Sequence, residues 1–184
     1  MSEAVTALNG AVAEGSIRVE DAGLQGMITV RGDLKALAGA GITVPEQGAA
    51  TGGLGDGSLW MSPDELLVLC AYGETEAKVA SIGAALKDLH HLAANVSDAR
   101  AVFRLTGEGA AIREVLAKLS PADLRASGLP VGAVRRTRMA QVPAAFWFAG
   151  EGEAIVICFR SVADYVFGLL EQASKDSGVV GHWA

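Results

Sequence analysis

Apolar residues along this chain fall into two rhythms, short strand-like runs and helical stripes, and the order of those rhythms occurs twice. Met27-Ile28-Thr29-Val30-Arg31 is a strand-like run that passes through Gly32 and Asp33 into a short helix near 33–39, where Leu34, Leu37 and Ala38 share a face. Val102-Phe103-Arg104-Leu105-Thr106 passes in the same way through Gly107 and Glu108. The helix it predicts over 108–119 carries Ile112, Val115, Leu116 and Leu119 on one side. Gly107 follows Gly32 by 75 positions (107 − 32). Each copy then leads to a hairpin and an amphipathic helix. In the first, runs at 58–61 and 65–70 flank Ser62-Pro63-Asp64, where proline presets a tight turn. The helix predicted over 74–89 buries Val79, Ile82, Leu86 and Leu89. In the second, runs at 144–148 and 154–159 flank Ala149-Gly150-Glu151-Gly152. A helix over 162–173 follows, with Ser161 and Asp164 resembling a capping box.

The connecting stretches read as loops, arms and one further helix start. Residues 1–22 are polar and weakly periodic, an irregular arm, and 177–184 form a tail. Residues 39–57 are glycine-rich and contain Pro45, which predicts a long loop. Ser120-Pro121-Ala122-Asp123 has the cap and first-turn proline of a helix start, and 126–133 is turn-rich. Arg135 to Gln141 reads as a strand with its charges outward. Each half is therefore β-α-β-β-α, close to a split β-α-β unit, and the fold class is α+β with mixed or antiparallel sheets and helices on one face. One domain over 23–176 is expected, built of pseudo-repeats 23–98 and 99–176 that share one core.

Composition narrows the partners. At 184 residues, with 51% hydrophobic residues and a mean hydropathy of +0.33, the chain sits on the apolar side, as alanine content or surface buried against other subunits would make it. A formal charge of −6 and a pI near 5.0 argue against a nucleic-acid partner, which needs a basic face. No basic, apolar leader opens the chain and no apolar run reaches the roughly 18 residues that span a bilayer, so a cytoplasmic protein without a membrane partner is expected.

Several strings then resemble a known family. Gly26-Met27-Ile28-Thr29-Val30-Arg31-Gly32-Asp33-Leu34, Leu59-Trp60-Met61-Ser62-Pro63-Asp64-Glu65-Leu66-Leu67 and Val96-Ser97-Asp98-Ala99-Arg100 resemble the gamma subunits of heterotetrameric sarcosine oxidases. So do Thr137-Arg138-Met139-Ala140-Gln141-Val142-Pro143 and Phe159-Arg160-Ser161-Val162-Ala163-Asp164-Tyr165-Val166. The similarity runs in order over about residues 20–174. It implies a shortened relative of the folate-binding domain of aminomethyltransferases, working beside alpha, beta and delta subunits. The implied complex oxidatively demethylates sarcosine to glycine, reduces oxygen to hydrogen peroxide and passes the one-carbon unit to tetrahydrofolate. On this resemblance FAD, FMN, NAD, zinc and tetrahydrofolate belong to the partner subunits, and no catalytic, cofactor or metal residue is assigned to this chain.

The residues themselves offer few reactive groupings. Arg31-Gly32-Asp33 is explained by a strand-to-helix turn, with Asp33 complementing the helix dipole, rather than by adhesion. Thr51-Gly52-Gly53-Leu54-Gly55-Asp56-Gly57 opens a strand, not a helix, and lacks the lysine of a phosphate loop. His90-His91 is placed at the end of a helix, where imidazoles favour the dipole, and His182 beside Trp183 reads as a tail residue. Cys70 and Cys158 lie in apolar runs, where burial makes a thiol inert. The densest positive cluster, Arg135, Arg136 and Arg138, suits a carboxylate-bearing partner surface, and Trp60 and Trp147 on corresponding hairpins are the aromatic candidates for a partner interface. Two other readings stand beside this one. A free-standing folate-dependent protein would carry a Lys-Gly-Cys-Tyr-x-Gly-Gln-Glu string that is missing here. A duplicated module sensing small molecules would show a melting shift with free amino acids.

Overall fold

The N-terminal stretch expected as an irregular arm holds strands β1 (Val12–Glu14) and β2 (Arg18–Asp21), paired with each other and built into a sheet. The computed structural model describes residues 3–182. What turns the arm into strands is a narrow apolar signal, since Ile17 and Val19 are fully buried while polar residues flank them. Asp21 fastens the segment by accepting from the Thr6 hydroxyl and from the Gly10 and Gly23 N–H groups.

The first repeat, Leu24–Asp98, is one compact unit. It runs β3 (Gln25–Arg31), α1 (Leu34–Gly39), β4 (Ala50–Thr51), β5 (Ser58–Ser62), β6 (Glu65–Ala71), α2 (Thr75–Ala85) and β7 (Leu92–Asn95). Its strands form a five-stranded antiparallel sheet in the order β4-β5-β6-β3-β7, and the core on one face gathers Ile28, Val30, Leu66, Val68, Ile82 and Leu86. The helix predicted to Leu89 stops at Ala85, and Leu86 closes it by donating to Ile82.

The second unit combines residues up to Gly23 with those from Ala99 onward. It runs β8 (Arg100–Thr106), α3 (Gly109–Leu119), β9 (Val134–Met139), β10 (Val142–Gly150), β11 (Glu153–Phe159) and α4 (Ala163–Ala173). The sheet order is β1-β2-β8-β11-β10-β9, again antiparallel throughout, around Phe103, Leu105, Leu116, Phe146, Phe148 and Val166. The helix start expected at Ser120 is absent. Ser120 Oγ instead accepts from Ala122 N, and the buried Arg113 guanidinium takes the carbonyls of Leu124 and Leu129 at 2.7 and 3.0 Å, which fixes an irregular loop. Ser161 caps nothing either, because a 3-10 turn at Arg160–Val162 precedes α4.

The duplication is visible in strand register. β3 pairs with β6 from Gln25↔Ala71 to Arg31↔Glu65, and β8 pairs with β11 from Arg100↔Phe159 to Thr106↔Glu153. The hairpins bulge at matching places, after Trp60 and after Phe148. Gly32 and Gly107 both adopt φ near +155° and donate across their hairpin turns, to Asp64 O at 3.0 Å and Gly152 O at 3.2 Å. Strands match at an offset of 75 before these turns, whereas hairpins and following helices match at 88 (153 − 65), so the second copy is 13 residues longer (88 − 75) between turn and hairpin. β2 lies on β8 as β7 lies on β3, so the chain's start supplies the strand that follows α2 in the other copy.

Behind α4 the tail is held rather than loose. Glu114, buried on α3, accepts the N–H groups of Val180 and Gly181 at 2.6 and 2.8 Å, and Lys118 donates to the carbonyls of Ala173 and Gly178. Trp183 lies outside the described residues. Among the described residues no helix is long and apolar enough to cross a membrane.

Candidate functional site

Strand alternation divides the arginine cluster. β9 is the edge of its sheet, and its partners on β10 are Phe146 for Arg135, Ala145 for Arg136 and Pro143 for Arg138. Arg135 therefore shares the face of the core residue Phe146, and its guanidinium is turned onto the carbonyls of Val134 and Gly128, where it holds the preceding loop. Arg136 and Arg138 stand exposed on the opposite face, with Arg138 donating to Gln141 Oε1 at 2.8 Å across the turn. Charges on an edge strand also discourage unwanted strand pairing.

The two candidate tryptophans, Trp60 and Trp147, occupy different positions. Trp60 is half-buried against the core of the first unit, and register makes Phe148 its counterpart. Trp147 is one residue away on the other face of β10 and is only 3% exposed, so its indole is not displayed.

A cleft of about 1030 Å³ opens in the first unit between α1 and the 86–92 segment. Arg31 and Asp64 bridge at its edge at 2.7 Å, and Lys35, His90 and His91 contribute its polar rim. The Ser62 hydroxyl and then Arg31 hold the Asp64 carboxyl below its usual range, so it stays ionised and is no proton donor at neutral pH. His90 and His91 lie beyond the shortened α2 rather than on it, and His91 Nδ1 sits 2.9 Å from Leu89 O. Asp33 caps α1 by accepting from Lys35 N, which accounts for the Arg-Gly-Asp string. The 51–57 glycine stretch is the turn between β4 and β5, closed by Gly53 N donating to Asp56 Oδ1.

Both cysteines are buried and unpaired. Burial pushes the Cys158 thiol up to about 12 despite Arg100 nearby, leaving it without the thiolate that nucleophilic chemistry needs. Among the described residues no three metal-ligating side chains converge. Arg113 and Glu114, the buried charges that shape the second unit, were missed because charges inside an apolar helical stripe give no local signal of their partners.

A model of the sarcosine oxidase, gamma subunit family matches residues 38–176. The sarcosine oxidase subunit gamma of Corynebacterium sp. (strain P-1) is 32% identical over 148 residues, 79% of this chain and 71% of that protein. The Arthrobacter sp. subunit gamma is 35% identical over 121 residues, 63% of this chain and 57% of that one. Among solved structures, a chain of the heterotetrameric sarcosine oxidase from Corynebacterium sp. U-96 in complex with pyrrole 2-carboxylate superposes with a TM-score of 0.79 at 25% identity, over 92% of this chain and 90% of that one. The glycine cleavage system aminomethyltransferase T from Bartonella henselae shares the fold alone, at TM-score 0.58 and 16% identity over 79% of this chain and 43% of that one. With strings, register and family match in agreement over most of its length, the chain belongs to the sarcosine oxidase gamma subunit family.

Proposed function

We propose that the chain is a structural subunit of a cytoplasmic heterotetrameric sarcosine oxidase, packed beside alpha, beta and delta subunits and supplying no catalytic group. The observation that carries this reading is the nearly full-length superposition on a chain of such an enzyme. The described polar groups add support, since Arg113, Glu114, Lys118 and Arg135 all serve to fix loops and tail. In this proposal the complex demethylates sarcosine to glycine and passes the one-carbon unit to tetrahydrofolate, with FAD, FMN, NAD and zinc in the other subunits. On the second unit Arg136 and Arg138 are the contacts offered to the alpha subunit, with Arg135 and Trp147 supporting their strands from within, and on the first unit the outer edge of Trp60 is a separate candidate contact. Co-expression with the three partner chains followed by size-exclusion chromatography tests it. Co-elution with sarcosine oxidase activity is expected; a chain that never co-elutes, or that oxidises sarcosine unaided, overturns the proposal.

A further inference from the structure

The helices that follow the two matched strands start differently. α1 begins at Leu34 and α3 at Gly109, 75 positions on (109 − 34), so Asp33 and Glu108 hold the same place, as do Lys35 and Ala110. In the first unit the Asp33 carboxylate accepts from Lys35 N at 2.8 Å and caps its helix. In the second, Glu108 makes no such bond, and the N–H groups of Gly109, Ala110 and Ala111 have no partner among the described residues. Arg113, one turn along α3, is 8% exposed, lies over the Phe148 ring at 4.2 Å and has no carboxylate partner among the described residues. Its Nη1 is spent on the carbonyls of Leu124 and Leu129, whereas Nε and Nη2 bond to no described group and are not sealed from solvent. Side chains lean toward the N-terminus of their helix, which directs this guanidinium at the start of α3. There Gly109, Ala110, Arg113 and Ala126 line an open bowl of about 480 Å³, and Glu108 and Glu151 line it too. Gly109 lets the hairpin turn approach, since a Cβ there would meet Glu151 O at 2.5 Å.

We propose that this bowl binds a small α-amino acid. The ligand's carboxylate takes the place on α3 that the Asp33 carboxylate holds on α1, accepting from the Ala110 N–H on one side and from Arg113 Nε and Nη2 on the other. A guanidinium removed from water gains most from an anion placed directly against it. Glu108 and Glu151 are exposed and form no ion pair among the described residues. They repel a bare carboxylate, and they accept from an ammonium group. One buried cation with two carboxylates beside it thus fits a zwitterion better than an anion or a cation alone, and the volume suits a small molecule.

The test is an NMR titration of the isotope-labelled full-length chain with glycine, acetate and methylammonium at matched ionic strength, read at the Ala110 N–H and Arg113 Nε–H resonances. Saturable shifts of both with glycine are expected, with weaker binding of acetate and no response to methylammonium. Arg113→Lys keeps the charge but loses the planar fork, and should weaken glycine binding about tenfold. Arg113 also holds the 124–129 loop, so a second variant, Glu108→Gln with Glu151→Gln, decides the matter if the lysine variant does not fold. Both glutamates are exposed, and without their charges glycine should bind no better than acetate. Shifts that do not saturate, acetate binding as tightly as glycine to the unaltered chain, methylammonium moving the same resonances, or an unchanged glycine Kd in either folded variant overturn the assignment.

Discussion

Glu114 sits on α3 between the apolar residues Ile112 and Val115, and its contacts to the tail and to Lys118 make that position tolerable. The Val180 N–H, helped by Gly181 and Lys118, holds its carboxyl below the ordinary range. A depressed folded pKa stabilises above the unfolded value and loses that contribution as pH falls through the folded one. The protection of the Val180 and Gly181 amides, taken relative to the intrinsic exchange rate at each pH, should therefore fall on acidification through and below the carboxylate range. In Glu114→Gln the same amides should exchange faster already at neutral pH, with a flatter acid response. Two glycines give opposite expectations in denaturant melts. A Cβ at Gly107, where φ is +155°, would lie 3.0 Å from the Ile17 side chain, so Gly107→Ala should cost about 1–3 kcal/mol. Gly168 is exposed within α4 with open space around it, and Gly168→Ala should stabilise by about 0.5–1 kcal/mol.

Among elements, the short strand β2 ties the chain's opening residues to the second unit. It covers the flank of β8 from Arg18↔Thr106 to Asp21↔Phe103, and Glu20 accepts from Arg104. Ile17→Ala, which removes a fully buried side chain beside it, should cost about 2–5 kcal/mol in thermal or denaturant unfolding. Long periodic segments were legible from sequence: α3, α4 and both hairpins fall within a few residues of expectation, because each buries a continuous apolar set. β1 and β2 escaped notice because β2 is anchored on a partner 84 residues away, as in the Glu20–Arg104 contact, and β1 in turn on β2, rather than by a local pattern. β7, Leu-Ala-Ala-Asn, has no β-branched residue and is a strand only because β3 presents an edge to it.

At the scale of the whole molecule, the charges left outward on β9 are where assembly is expected to be sensitive. Replacing Arg136 and Arg138 together by Glu should weaken co-elution with the partner chains by about tenfold or more in apparent Kd and make it less salt-dependent, while the melting temperature of the chain by itself stays within a few degrees. An unchanged Kd would move the interface elsewhere. The pairing of β2 with β8 also dictates an order of events during synthesis. The opening strands leave the ribosome early, yet the strand they must join emerges only after the entire Leu24–Asp98 unit has been translated. That unit is contiguous and holds its own strand pairings, so it is free to fold while the leading strands wait, and a released fragment ending at Asp98 should retain a protease-resistant core with an unprotected leading segment.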